Sequence, residues 1–153
     1  MRVRTLSMAA VALLSALLCA GCSRPVREEG FIRAQDAAGG VYRFDVDLSD
    51  SLAAYDLKVY SRVESVFRKL PVMISTPLSV SWISPSGQRY SENVWLTLTR
   101  PGTSPYLLES EQFYRRGLVP SEYGKWTLEL SPDDAPKGFS GLGVITIRHD
   151  GTR

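Results

Sequence analysis

The sequence predicts an all-β domain, an antiparallel β-sandwich of jelly-roll or immunoglobulin-like form. Three observations carry that expectation. Several runs alternate apolar and polar residues with a period of two, the pattern of strands with one face buried. Pro, Gly and Ser clusters separate these runs at short intervals, as in sandwiches and barrels. Helical spacing is weak by comparison, with short helical connections allowed only around Val63–Leu70, before Pro71, and Glu109–Arg116. The length of 153 residues suits one ordinary domain and excludes a large barrel or doubly wound enzyme. With 44% hydrophobic and 10% aromatic residues the chain can build a core, and 22% charged residues are too few and too balanced to keep it expanded.

Taken in order, the chain opens on Arg2 and Arg4, followed by the apolar run Leu6–Leu18. That run is too short to span a bilayer as a mature helix, so residues 1–21 read as a signal peptide. It ends in Leu18-Cys19-Ala20-Gly21-Cys22, which resembles the lipobox of bacterial lipoproteins, with Cys19 standing where Leu is usual three positions before cleavage. The resemblance implies that Cys22 is diacylated on sulfur, becomes the new N-terminus and is then acylated on its amine. Two or three chains at about 0.8 kcal/mol per buried CH₂ would anchor the protein firmly. Both cysteines lie in this element, so the mature domain would carry no thiol, disulfide or Cys ligand. Removing Arg2 and Arg4 leaves 16 basic against 16 acidic side chains, and a neutral chain gives no case for a nucleic-acid footprint. Residues 22–40, with Pro25 and Gly39-Gly40 and no periodicity, read as a lipidated tether reaching up to roughly 60 Å when extended. Ser23 after the lipidated Cys, with no acid directly following, favours the outer membrane and a domain facing the periplasm, by analogy with proteobacterial sorting.

The domain is expected over residues 41–150. Tyr42, Phe44, Val46 and Leu48 alternate with Arg43, Asp45 and Asp47, and Tyr55, Leu57, Val59 and Val63 share one face of the next run. Leu78, Val80 and Trp82 form a strand, Ser84-Pro85-Ser86-Gly87 a turn, and Val94–Thr99 the returning strand of a hairpin. Trp126, Leu128 and Leu130 alternate next, and Leu142–Ile147 reads as a buried closing strand, for six or seven strands in all.

Chemical motifs are sparse. His149 is the sole histidine and is expected in a frayed tail beside Asp150, a poor place for a Ser-His-Asp relay. Gly138-Phe-Ser-Gly-Leu-Gly143 fails the nucleophile elbow, which needs Gly at 142, and the dinucleotide loop, which needs Gly or Ala at 146. Its glycines suit turn and bulge positions instead. Asp133-Asp134 between prolines suits a solvated turn or one side of a calcium shell. No catalytic residue, metal or cofactor is assigned. The remaining signal is aromatic: Trp82, Tyr90, Trp95, Tyr106, Phe113, Tyr114, Tyr123 and Trp126. Most are expected in the core, with Tyr90, Tyr114 and Tyr123 the candidate partner or ligand surface because of their turn-rich or charged surroundings.

Tyr55-Asp-Leu-Lys-Val-Tyr60, Pro77–Gly87, Tyr123-Gly-Lys-Trp126 and Gly138–Ile147, behind a lipoprotein signal, together resemble the GldH family of gliding-motility lipoproteins from Bacteroidota. The resemblance covers most of residues 41–150; Ser65–Thr76 is longer and more basic than that pattern. It implies a membrane-anchored, non-enzymatic accessory component of gliding motility or of the associated secretion machinery, with envelope proteins as partners. The residues by themselves leave a carbohydrate-binding envelope lipoprotein and a hydrolase as the other classes.

Overall fold

The computed structural model describes residues 26–150, so the signal peptide and Cys22 lie outside it. The fold is all-β and antiparallel: β1 (Val26–Arg33), β2 (Tyr42–Asp47), β3 (Ala53–Glu64), β4 (Met73–Ile83), β5 (Arg89–Thr99), β6 (Leu107–Leu118), β7 (Lys125–Pro132) and β8 (Phe139–Asp150). Their order across the sheet is β1-β8-β3-β6-β5-β4-β7-β2. Strands β1 and β8, β2 and β7, β3 and β6, and β4 and β5 are partners, as though the chain were one long hairpin zipped from its midpoint. The β3–β8 and β4–β7 ladders then roll that hairpin up. This is the jelly roll, and it decides between the two sandwich forms expected. A single pair, Thr99 with Glu109, joins β5 to β6, so the sheet works as two four-stranded layers facing each other.

Period-two alternation explains the core. Tyr42, Phe44 and Val46 of β2, Tyr55, Leu57, Val59 and Val63 of β3, and Trp126, Leu128 and Leu130 of β7 all point inward and are buried. Fully burying each such aliphatic side chain contributes about 1.5–3 kcal/mol. The outward residues pair as ions: Glu129 of β7 meets Arg43 and Arg89 at 2.6 Å, and Arg62 and Lys58 of β3 meet Glu109 and Glu111 at 2.6 Å. The two arginines, Arg89 foremost, hold the Glu129 carboxyl below the usual carboxylate range.

Several expectations are corrected. The tether predicted to run to Gly40 gives way at Val26 to β1, which pairs with β8 along eight residues, while Ala34–Asp36 and Ala38–Gly40 are short 3-10 turns. Only Ile32 of β1 is less than exposed, so the strand forms on backbone hydrogen bonds to the free edge of β8 and leaves no apolar alternation to read. Helical spacing over Glu109–Arg116 is overridden by pairing with β3, and Val63 lies inside β3, which ends at Glu64, while the residues after Glu64 form a loop. Leu142–Ile147 closes the chain but not the sheet, since β8 lies between β1 and β3. His149 stands within β8, opposite Ala54, with Nε2 3.0 Å from Asp56 Oδ2, and not in a frayed tail.

Candidate functional site

The two layers part along β5 and β6, and the reason is local. Thr99 and Glu109 pair, but beyond them a side chain takes over the role of the ladder. Thr97 N donates to Gln112 Oε1 at 3.1 Å, and Gln112 Nε2 donates to the Trp95 carbonyl at 2.7 Å, so one amide group stands in for a peptide. Past Gln112 the strands diverge, and the inter-sheet space opens as a cleft of about 320 Å³. That volume matches the lower end of small-ligand sites.

The cleft is built by inward positions. Along β5 the inward residues run Leu98, Leu96, Val94, Glu92 and Tyr90, so a carboxylate occupies a register otherwise apolar. Trp82 of β4 and Tyr114 of β6 complete the walls, Trp126 of β7 forms the floor, Leu48 and Pro120 are buried in the lining, and Leu118 and Val119 stand at the rim. The Trp82 ring lies nearly parallel to Tyr114 with centroids 6.3 Å apart and meets Trp126 edge-on at 6.0 Å; Tyr90 tilts against Trp126 at 6.2 Å. Such pairs add about 0.5–1.5 kcal/mol beyond burial. A hydrogen-bonded chain links them: Trp82 Nε1 donates to the Tyr114 hydroxyl at 2.9 Å, and that hydroxyl donates to Glu92 Oε1. Arg115 also donates to Glu92 Oε1, which leaves Oε2 without a protein partner among the described residues. Burial, and then the bond to Glu92, push the Tyr114 hydroxyl well above its ordinary pKa, so it stays a donor at any physiological pH. Glu92 and Arg115 cancel in charge, making the cleft polar on one side and neutral overall.

Of the residues expected at a partner surface, Tyr90 lines this cleft and Tyr123 is exposed in the β6–β7 loop but does not line it. Tyr114 lines the cleft as well, but its expected exposure is corrected: at 9% it is buried, because an even-numbered β6 position faces inward despite the charged neighbours Arg115 and Arg116. Cys22 lies outside the described residues. Trp95, 63% exposed on the outer face of β5, is another aromatic on the surface. Glu92 and Arg115 belong to no sequence motif, and the signal of Glu92 is an acid within the alternation Tyr90-x-Glu92-x-Val94-x-Leu96, since β5 begins at Arg89 and not at Val94.

Elsewhere, Phe31 stacks on Tyr60 with centroids 5.6 Å apart on the outer face of the β1-β8-β3-β6 layer. Tyr60 covers Gly143, whose absent side chain makes room for the ring. Burial, and then Glu29, push the Tyr60 hydroxyl up to about 12. Asp133 and Asp134 sit in the bend after β7, where Ser79 Oγ donates to Asp133 Oδ1 at 3.0 Å and Thr76 Oγ1 to the Asp134 carbonyl at 3.0 Å. Among the described residues no group of three or more His, Cys, Asp or Glu side chains is placed to hold a metal ion, and no helix is long and apolar enough to cross a membrane.

No family model matches the chain, and no curated protein matches it. Among solved structures, the crystal structure of dimeric latent PorU from Porphyromonas gingivalis is similar at 9% identity and a TM-score of 0.33. The match covers 83% of this chain and 13% of that one, so the chain spans a small part of that protein's length.

Proposed function

We propose that this chain is a lipid-anchored, non-enzymatic lipoprotein of the cell envelope, an accessory component of gliding motility or the associated secretion machinery. In this reading it sits on the outer membrane facing the periplasm and binds envelope proteins. The observation that carries it is Leu18-Cys19-Ala20-Gly21-Cys22 placed directly before the jelly roll, with three residues between Cys22 and β1. Four Cα steps reach at most about 14 Å, so an acylated Cys22 would hold the first strand close to the lipid. The test is mass spectrometry of the N-terminal peptide, joined to a cross-linked pull-down from intact envelopes with Cys22→Ala as control. The expected result is an acylated Cys22 and motility or secretion components recovered only with the anchored form. An unmodified Cys22, or recovery that ignores the substitution, would sink the reading.

A second reading, a carbohydrate-binding lipoprotein, is favoured by the cleft. An apolar occupant would desolvate Glu92 Oε2 without giving it a donor, which is costly. A cation would find the carboxylate already neutralised by Arg115. A neutral ring with hydroxyls, stacked on Tyr90, meets both demands. Tryptophan fluorescence titrated with neutral oligosaccharides should saturate, and Tyr90→Ala should weaken the response at least tenfold. Saturation by tetramethylammonium in place of sugars would point to a cation cage and against this reading.

A further inference from the structure

The β3–β4 loop presents the most exposed large apolar side chains of the described residues. Phe67 is 98% exposed and Val66 82%, and Val72 and Met73, a few residues on at the start of β4, are exposed as well. Large apolar side chains exposed side by side, as Val66 and Phe67 are, mark an interaction site. The loop is not slack. Ser65 N donates to the Tyr106 carbonyl at 3.0 Å and Arg68 N to Ser65 Oγ at 3.1 Å; Leu70 N donates to the Pro105 carbonyl at 2.7 Å and Arg100 Nη2 to the Leu70 carbonyl at 3.0 Å. Leu70 is itself buried. Both feet of the loop are therefore fastened to the β5–β6 connection, and the fastening holds Val66 and Phe67 outward. A fixed hydrophobe loses little conformational entropy on docking.

Chain direction decides what can meet it. Val26 starts β1 opposite Arg148, at the end of the sandwich where β3 begins. The loop follows Glu64 at the other end of β3; Val26 lies level with Tyr55 through Arg148, so Glu64 is nine residues further along, or roughly 30 Å at about 3.3 Å per residue. The flanks between the two ends carry the ion pairs of Arg43, Glu129 and Arg89 and of Arg62 and Glu109, and their exposed aromatics, Trp95 and Phe31, stand among these charges. Arg68 and Lys69 form no ion pair among the described residues and give the tip a positive rim, while the nearest acid, Glu64, is paired with Arg62 at 3.1 Å. We propose that Val66 and Phe67 dock into an apolar pocket with an acidic rim on a partner protein, on the side of the domain away from the anchoring bilayer. The choice of a protein over a membrane rests on the lipid attachment at Cys22 proposed above.

The test places the photo-cross-linker p-benzoylphenylalanine at position 67, or at Leu52 on the opposite end, in the full chain in intact envelopes. The expected result is one identified protein joined at position 67 and absent from the Leu52 sample. Its yield should fall at least tenfold when Arg68→Glu and Lys69→Glu are added, and return when carboxylates on that partner are exchanged for lysine. An unchanged thermal melt keeps misfolding out of the comparison. Adducts with lipid or with a second copy of this chain, no adduct at position 67, or a protein adduct indifferent to the charge reversals would each overturn the proposal. The acyl state of Cys22, read separately by mass, tells failure here from failure of the anchoring.

Discussion

Replacing Gly138 by Ala should lower the unfolding free energy by at least about 3 kcal/mol, read as a shift of the urea midpoint at unchanged slope. Two costs combine there. Gly138 has φ 85°, a conformation that costs an L side chain about 1–2 kcal/mol. A Cβ at that position would also lie 1.9 Å from the Glu64 carbonyl oxygen and 3.0 Å from its carbon, both backbone atoms that β3 holds in place. The approach cannot simply be relaxed, because Glu64 N donates to the Gly138 carbonyl at 2.9 Å and ties the β7–β8 turn to the end of β3. Gly87 supplies the control: its φ is 87° and nothing stands within 4 Å of its would-be Cβ. Gly87→Ala should therefore cost only the conformational part, about 1–2 kcal/mol. Equal losses for the two substitutions would show that the Glu64 contact yields and that φ alone demands glycine.

That glycine also marks how far the sequence could be read. Gly138 and Gly141 were legible as turn and bulge residues, and the β3–β8 register does shift between Arg62 and Val63, which face Gly141 and Phe139. Strands β2, β3 and β7 were legible because each has one wet face and one dry face, so alternation survives in the residue types. Two strands were hidden for opposite reasons. In β1 nearly every residue is exposed, so hydropathy carries no period. In β6 the inward residues Leu108, Ser110, Gln112 and Tyr114 mix polar with apolar, since Gln112 must bridge to β5 and Tyr114 must reach Glu92. The same polar requirement that masked β6 opens the cleft. Its aromatic walls could be suspected from composition, but their convergence depends on β4, β5, β6 and β7 meeting at one end of the roll, which no local pattern encodes. The helical spacing of Val63, Val66, Phe67 and Leu70 does not make a helix for a related reason: Val63 is buried as a β3 residue and Leu70 where the loop is fastened to Pro105, while Val66 and Phe67 face water.

Trp126→Ala should cost about 3–5 kcal/mol, the range for truncating a large buried aromatic. Trp126 is buried on β7 opposite Val46 of β2, and its ring closes the floor of the cleft against Trp82 and Tyr90. Its Nε1 donates to the Glu122 carbonyl at 2.9 Å, fixing the β6–β7 loop that forms one rim. Truncation would remove the ring contacts and free that loop, and the void left would join the cleft, so surrounding side chains could not close it. Trp126→Phe keeps most of the packing and should cost about 1–2 kcal/mol, mainly the lost hydrogen bond and the smaller ring. Tyr90→Ala removes an exposed wall and should cost well under 1 kcal/mol. The three variants thus separate floor from wall: stability follows Trp126, whereas any neutral ring ligand should follow Tyr90. Urea unfolding of the three settles the point. A Trp126→Ala loss below about 1 kcal/mol would mean that water already fills the floor of the cleft, and a wet floor would leave the aromatic faces too hydrated to select a sugar ring by stacking.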